Sequence, residues 1–183
     1  KADLFNSIGL CDHNYAPYPE YLVPGTGYET TFKDGKIGGE KGEYPYLLFN
    51  PHYFRRSHSV FDNCPWLREA WANPVFLNAS DAKAKGIKDG DVVRMYNDRG
   101  SVLMVARVTY RLNPETIHAY TSSGIYNPIE YGVYQSWDKG GSINVLTPGR
   151  LIGDYVPAMA PYSCNIDIEK CEPDPNYGQG FEH

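Results

Sequence analysis

The amino-acid sequence predicts a mainly β fold, a small barrel with short helices at the crossings between its strands. Apolar or alternating runs of strand length recur between residues 44 and 170, and β-branched and aromatic residues are frequent in them. Helical signals extend over only a turn or two. Glycine, proline and asparagine separate the runs, as they do in turns and loops. No internal repeat divides the chain, so we expect one barrel.

The first predicted elements lie between residues 44 and 71. Residues 44–49 are mostly apolar and predict a buried strand. Residues 50–63 are polar and predict a loop. Residues 65–71 predict a short helix, because Pro65 is well placed in a first helical turn, where its missing N–H removes no hydrogen bond.

Residues 75–86 predict a strand that leads directly into a second short helix. Asn78 closes an apolar triplet that begins at Val75. We expect Asp81 to begin the helix. Gly86 is expected to end it, because glycine adopts the left-handed conformation that follows a helix without steric cost.

Residues 89–108 predict a hairpin. A turn at residues 89–91 leads into a strand over residues 92–96. Residues 97–100 then reverse the chain, with Gly100 available for a positive φ angle. Residues 102–108 return as the second strand.

The remaining segments complete the predicted organisation. A strand over residues 116–120 follows a turn at Asn113 and Pro114, and residues 163–169 alternate as a late strand. Residues 122–142 form a loop too long for a simple connection. We expect residues 1–43 to be an irregular connector, residues 44–172 the barrel domain, and residues 173–183 a flexible tail. Because the chain begins with Lys1 rather than Met, we expect it to be part of a longer protein.

Composition excludes several classes of function. The chain has 183 residues and a net charge of -5, and it has no basic field that would release counterions from nucleic-acid phosphates. No apolar run approaches the roughly 20 residues that span a bilayer. We therefore expect no nucleic-acid partner and no direct membrane insertion.

The sequence also lacks the patterns of a reaction centre. Cys11, Cys64, Cys164 and Cys171 include no Cys-x-x-Cys pair, so we expect buried thiols rather than a metal site. The histidines form no helical metal-binding pair, and no nucleophile elbow, P-loop or dinucleotide fingerprint is present. The pattern is typical of a binding domain without catalytic residues of its own.

Three groups of polar residues are candidates for ligand binding. Arg56, Ser57, His58 and Ser59 combine guanidinium, hydroxyl and imidazole donors suited to a phosphate or a heterocycle edge, although a solvated surface loop would have the same composition. Asn78 and Asp81 either cap a helix or bind the edge or sugar of a nucleotide. Asn144 follows two glycines, which permit close approach of the backbone to a ligand or simply precede a strand.

In order along the chain, these segments resemble the C-terminal molybdopterin guanine dinucleotide-binding domain of the dimethyl sulfoxide reductase family. The resemblance runs from about residue 44 to residue 170. The resembling segments are residues 56–59, 77–93, 96–100, 124–128, 141–147 and 165–170. Six segments in the family's order are far more specific than any one of them. The chain departs from the family at Ile125, where tryptophan is frequent, and at Tyr162, where glutamine is common.

The resemblance implies a double-psi β-barrel that caps a bis-molybdopterin guanine dinucleotide cofactor, carrying molybdenum or tungsten, in the full-length parent. It places the loop at Arg56, Ser57, His58 and Ser59 against the pterin and its phosphates, and it places Asn78 and Asp81 near a guanosine. Asn144 corresponds to a pterin-facing amide, and Tyr162 completes the implied contacts.

The resemblance further implies that the parent is a molybdenum oxidoreductase of the dimethyl sulfoxide or N-oxide reductase type. Its partners would be the remaining domains of the parent catalytic subunit and an iron–sulfur electron-transfer subunit. The isolated chain is expected to be non-catalytic and to hold no cofactor. Two alternatives stay open, a stand-alone double-psi barrel that acts as an interaction module, and the same domain from a non-redox relative such as a transhydroxylase or a hydratase.

Overall fold

The structure is a computed structural model that describes residues 18, 21, 25–55, 57–70, 73–121, 124–149, 151–152, 158–159 and 163–171. Within these residues lie the strands β1 (Tyr46–Phe49), β2 (Val75–Asn78), β3 (Val92–Asn97), β4 (Gly100–Thr109), β5 (Thr116–His118), β6 (Leu151–Ile152), β7 (Ala158–Met159) and β8 (Ser163–Lys170). The α-helices in the same residues are α1 (Pro65–Ala70) and α2 (Ala79–Ala84). Among the described helices, none has the length and apolar character needed to cross a membrane.

Six strands close into a barrel in the order β1-β5-β2-β4-β3-β8. β1 runs parallel to β5 and β2 runs parallel to β4, whereas the other neighbouring pairs are antiparallel. Closure leaves none of the six strands as an unpaired edge. The prediction of a mainly β barrel with short helices is confirmed. β6 and β7 pair with each other outside the barrel.

Alternating side chains fill the interior of the barrel. In β3, Val93 and Met95 point inward and are fully buried, and in β8 Ile166 and Ile168 do the same. Their neighbours in sequence face outward, as the period of a strand requires. In the sequence, this alternation predicted β8, whereas residue composition predicted β3.

The helix α2 begins earlier than predicted. It starts at Ala79, and Asp81 lies in its first turn, because Asn78 is the residue that caps it. The Oδ1 atom of Asn78 accepts a hydrogen bond from the backbone N–H of Ser80 at 2.8 Å. The prediction for Gly86 is confirmed, since this residue has a φ angle of 68° just after the helix.

The prediction that Gly100 supplies a positive φ angle is wrong. Asn97 pairs with Gly100 across a hairpin whose turn is formed by Asp98 and Arg99, and Gly100 has no left-handed φ. A Cβ atom at this position would lie 2.5 Å from the Cγ1 atom of Val145. Glycine is therefore required here by a distant neighbour rather than by the turn.

The other predicted elements are present with shifts of one or two residues at their ends. β1, α1, β5 and β8 occupy the predicted segments. Of the predicted connector, residues 25–43 pack on the barrel: Thr26 donates a hydrogen bond to the backbone oxygen of Ser163, and Asn165 donates one to that of Gly27. Residues 1–17 and the predicted tail at residues 173–183 lie outside the described residues.

Candidate functional site

The two ends of the barrel carry different structures. At one end, Phe49 of β1 pairs with both His118 of β5 and Ser163 of β8, so β1 and β5 finish where β8 starts. We call this the loop end, because residues 50–64 leave the barrel there. At the other end β2 finishes, since Leu77 pairs antiparallel with Ile117. We call it the helix end, because α2 follows β2.

Ser57, His58 and Ser59 lie at the loop end with exposed side chains. Consecutive turns form this segment: the backbone N–H of Val60 donates to the oxygen of Ser57 at 3.1 Å. His58 has a φ angle of 53°, which histidine adopts more readily than bulky or β-branched residues. Its ring meets the ring of His52 edge to face, with 5.6 Å between the centroids. Arg56 lies outside the described residues.

Asn144 also lies at the loop end, because β4, which runs parallel to β2, begins there and its first residue, Gly100, packs against Val145. Asn144 belongs to a 3-10 turn (Ile143–Val145), so the alternative interpretation of this segment as a strand is wrong. Its side chain is exposed, whereas Ile143 and Leu146 on either side are buried. The Nδ2 atom of Asn97 donates to the backbone oxygen of Leu146 at 2.9 Å and holds the turn against the hairpin. Tyr162, the other residue predicted nearby, lies outside the described residues.

The exposed polar groups at the loop end are available for a ligand. Within the described part of the chain, no side-chain hydrogen bond engages Ser57, Ser59 or Asn144. Two hydroxyls and an amide are therefore unpaired donors and acceptors, together with the imidazole of His58. Residues 57–60 and 142–147 contain no carboxylate side chain that would repel an anion.

Asn78 and Asp81 lie at the helix end, and the structure does not bring them together with His58 or Asn144. Asn78 is almost fully buried, and besides capping α2 it donates from Nδ2 to the backbone oxygen of Leu112 at 2.6 Å. The Oδ2 atom of Asp81 accepts the backbone N–H of Glu115 at 2.7 Å. Burial raises the pKa of Asp81. Both side chains have a structural role, and their predicted contact with a guanosine stays a prediction.

Asp138 is the residue of the loop end that the sequence analysis missed. It is fully buried, and its carboxylate accepts three backbone N–H groups, those of Asn127 at 2.6 Å, Gly140 at 2.9 Å and Ser142 at 2.6 Å. Its own backbone pairs with β4 through Ser101 and Leu103. An aspartate two residues before a glycine is a turn signal that could have identified it.

Residues 124–142 are held at a second point by Arg94 of β3. Its guanidinium lies between two rings, 4.2 Å from the centroid of Tyr96 and 4.6 Å from that of Trp137. It also pairs with Glu169 at 3.2 Å. Cation–π contacts of this kind are stronger when the rings exclude water from the cation. The segment is therefore held both by the hydrogen bonds of Asp138 and by the contact of Trp137 with Arg94.

An aromatic cluster lies on the outer face of β2 and β5. The rings of Phe76 and His118 stack with centroids 5.1 Å apart, and Tyr120 meets His118 edge-on at 4.8 Å. A cavity of about 360 Å³ opens beside them, with Arg107 and Arg111 in its wall. Burial lowers the pKa of His118, because the protonated ring would be poorly solvated there.

Comparison with known proteins identifies the family. Residues 46–157 match the molybdopterin dinucleotide binding domain. The chain is 47% identical over 98 residues to the pyrogallol hydroxytransferase large subunit of Pelobacter acidigallici, covering 54% of the chain and 11% of that protein. It is 41% identical over 108 residues to the dimethyl sulfoxide reductase DmsA of Escherichia coli K12, covering 59% of the chain and 13% of that protein.

Longer matches and a solved structure agree with this result. The trimethylamine-N-oxide reductase of Haemophilus influenzae is 36% identical over 138 residues, which cover 73% of the chain and 16% of that protein. The acetylene hydratase of Pelobacter acetylenicus shares the fold with a TM-score of 0.62 at 18% identity, over 92% of the chain and 22% of that structure. The chain thus spans a small part of each of these relatives. It belongs to the family of molybdopterin dinucleotide-binding domains that occur in dimethyl sulfoxide reductase and its relatives.

Proposed function

We propose that this chain is the cofactor-binding domain of a longer molybdenum or tungsten enzyme, and that it contacts the pterin and phosphates of a molybdopterin guanine dinucleotide at the loop end. The observation that carries this location is the shared exposure of Ser57, His58, Ser59 and Asn144 at one end of the barrel. When bound, the cofactor supplies two-electron and oxygen-atom transfer chemistry through its metal and dithiolene sulfurs.

The residues of the loop end fit such a group. The hydroxyls of Ser57 and Ser59 and the imidazole of His58 can donate to phosphate oxygens, and a hydrogen bond to a charged group contributes about 1.5–3 kcal/mol. The amide of Asn144 can both donate to and accept from a pterin edge. The chain's task in this proposal is to bind and orient the cofactor and to exclude water from it. Arg56 and Tyr162 are proposed as further contacts on the resemblance alone.

The reaction proposed for the whole protein is reduction of a sulfoxide or N-oxide, since several relatives carry these activities in their names. A hydroxyl transfer without net redox change is the second candidate, and the 47% identity to the hydroxytransferase supports it. The proposed partners are the remaining domains of the same protein and an iron–sulfur electron-transfer subunit. One relative is itself named as a large subunit, which supports a partner subunit.

The test uses the full-length protein that contains this chain, purified with its cofactor. In the double variant His58→Ala/Asn144→Ala, we expect cofactor affinity to fall by about 100-fold, which corresponds to roughly 3 kcal/mol. Metal content by mass spectrometry and pterin content by fluorescence measure the loss. The matched control is Lys36→Ala/Ile37→Ala, two exposed residues of the segment 25–43. Unchanged cofactor content and activity in the first double variant would contradict the location.

Separate assays decide between the two reactions. Reduction of dimethyl sulfoxide or trimethylamine N-oxide with a reduced dye as electron donor supports the oxidoreductase. Transfer of a hydroxyl group between phenols, without consumption of the dye, supports the second candidate.

A further inference from the structure

Two buried carboxylates lie beneath the loop end, those of Asp62 and Asp138, together with the partly buried guanidinium of Arg68. Asp62 and Asp138 are fully buried, and the side chain of Arg68 is 17% exposed. A carboxylate in such a position is costly unless hydrogen bonds or an opposite charge compensate it. Hydrogen bonds compensate the charges of the two carboxylates, and these bonds connect segments that are far apart in sequence.

The first connection joins residues 57–63 to α1. The Nη2 atom of Arg68 donates to the Oδ2 atom of Asp62 at 2.5 Å, and its Nε atom donates to the backbone oxygen of Asp62, also at 2.5 Å. Asp62 is the buried residue of a segment whose other members are exposed. The guanidinium thus holds both the side chain and the backbone of the segment that carries His58.

The second connection joins the two arms of the segment 124–142. The carboxylate of Asp138 accepts N–H groups from Asn127 on one arm and from Gly140 and Ser142 on the other. Ser142 directly precedes the 3-10 turn that presents Asn144. The position of Asn144 therefore depends on the position of this carboxylate.

Arg68 links the two connections. It lines a cavity of about 130 Å³ together with Gly140 and Gly141. Its charge also acts on Asp138, where it lowers the pKa of a carboxyl that burial raises overall. Arg68 is thus a cation that acts on Asp138, and the residues Ser101–Leu103 of β4, which pair with Asp138, carry no charge.

We propose that Arg68 is a positioning residue that couples residues 57–63 to residues 138–144, so that His58 and Asn144 keep one relative position at the loop end. The importance of this position for the cofactor rests on the proposed function, but the coupling itself is a property of the chain alone. Guanidinium is suited to the task, because it offers five donors in a rigid plane and stays charged when buried.

The test follows backbone amide signals of the chain by NMR. We expect the signals of Asn127, Gly140 and Ser142 to titrate together as Asp138 takes up a proton. In Arg68→Gln we expect their common midpoint to move to higher pH, because the compensating cation is gone. The matched control is Arg107→Gln, since Arg107 lines the same cavity but pairs with Asp89 at the surface. A midpoint in Arg68→Gln equal to that of the control would overturn the proposal.

A second variant keeps the proposal testable if Arg68→Gln does not fold. In Asp138→Asn we expect the amide of Asp62, which donates to Ser59 at 3.1 Å, to exchange with solvent about 10-fold faster than in the wild type, although the substitution lies in the other segment. An unchanged exchange rate at Asp62 would also overturn the coupling. A failure of the proposed function would give a different result. The double variant His58→Ala/Asn144→Ala would then retain its cofactor, while the amide signals would still titrate with Asp138 and still shift in Arg68→Gln.

Discussion

Gly124 and Gly141 lie with their backbones in direct contact: a Cβ atom on Gly124 would stand 2.2 Å from the carbonyl oxygen of Gly141. The neighbouring pair is closer still, since a Cβ atom on Gly140 would stand 1.7 Å from the carbonyl oxygen of Ile125. The two arms of the segment that Asp138 joins therefore cross with no room for side chains. Glycine at these positions is required by packing.

This contact predicts a large effect of one methyl group. We expect Gly124→Ala to lower the free energy of unfolding by about 2–3 kcal/mol, because the backbone oxygen it meets cannot move without breaking the arrangement around Asp138. Urea denaturation of the chain measures the loss. Gly149→Ala is the control, since a Cβ atom there meets nothing within 4 Å. Equal stability of the two variants would contradict the close approach.

The two hydrogen bonds of the Asn78 side chain lead to a second prediction about stability. Asn78→Ala removes the acceptor that caps α2 and the donor to Leu112, and we expect a loss of about 1–2 kcal/mol. Asn78→Asp keeps the capping oxygen and loses only the donor, so it should lie between the alanine variant and the wild type. Thermal denaturation followed by circular dichroism compares the three. An alanine variant as stable as the wild type would show that the cap contributes nothing.

Local patterns in the sequence predicted most of the barrel. β8 could be predicted because every second side chain, such as Ile166, is apolar and buried, and β3 could be predicted because its residues have the composition of a strand. Gly86 could be predicted because a helix end and its left-handed residue are neighbours in sequence. These are relationships within a few residues, for which periodicity and turn preferences are informative.

Relationships between distant segments could not be predicted in this way. Gly100 is required by Val145, and Asp138 is buried because residues 101–103 of β4 pair with it. Asn78 and Asp81 were predicted to contact a different part of the cofactor from His58 and Asn144, but the sequence did not reveal that the two pairs lie at opposite ends of the barrel. The position of a loop relative to another depends on strand pairing, which a single sequence does not reveal.

The burial of His118 leads us to expect that the stability of the chain depends on pH. Burial lowers its pKa below the ordinary 6.5, so the folded chain resists protonation more than the unfolded chain does. Its contribution to stability is complete above about pH 6.5 and is lost as the pH falls below that value. In His118→Phe, which keeps a stacking ring beside Phe76, we expect this loss to disappear. The free energies of unfolding of the wild type and of His118→Phe, measured between about pH 5 and 7.5, test this prediction. If the two free energies change with pH in parallel, His118 is not the source of the pH dependence.

The burial of Cys164 leads us to expect that its thiol is protected from alkylation. It is fully buried, and burial raises the pKa of its thiol to about 12, whereas Cys64 and Cys171 are partly exposed. Because the thiolate is the reactive form, we expect iodoacetamide to modify Cys64 and Cys171 first in the native chain and all three equally in urea. Mass spectrometry of peptides gives the rates. Early modification of native Cys164 would contradict its place in the core.

The most direct test of the proposed cofactor position is the distance between the cofactor and the loop end in an experimental structure of the full-length protein with cofactor bound. We expect pterin or phosphate atoms within about 3.5 Å of the side chains of His58 and Asn144, a hydrogen-bonding distance. The same structure shows whether a guanosine reaches Asn78 and Asp81 at the helix end. A cofactor with no atom near His58 or Asn144 would contradict the proposed position at the loop end.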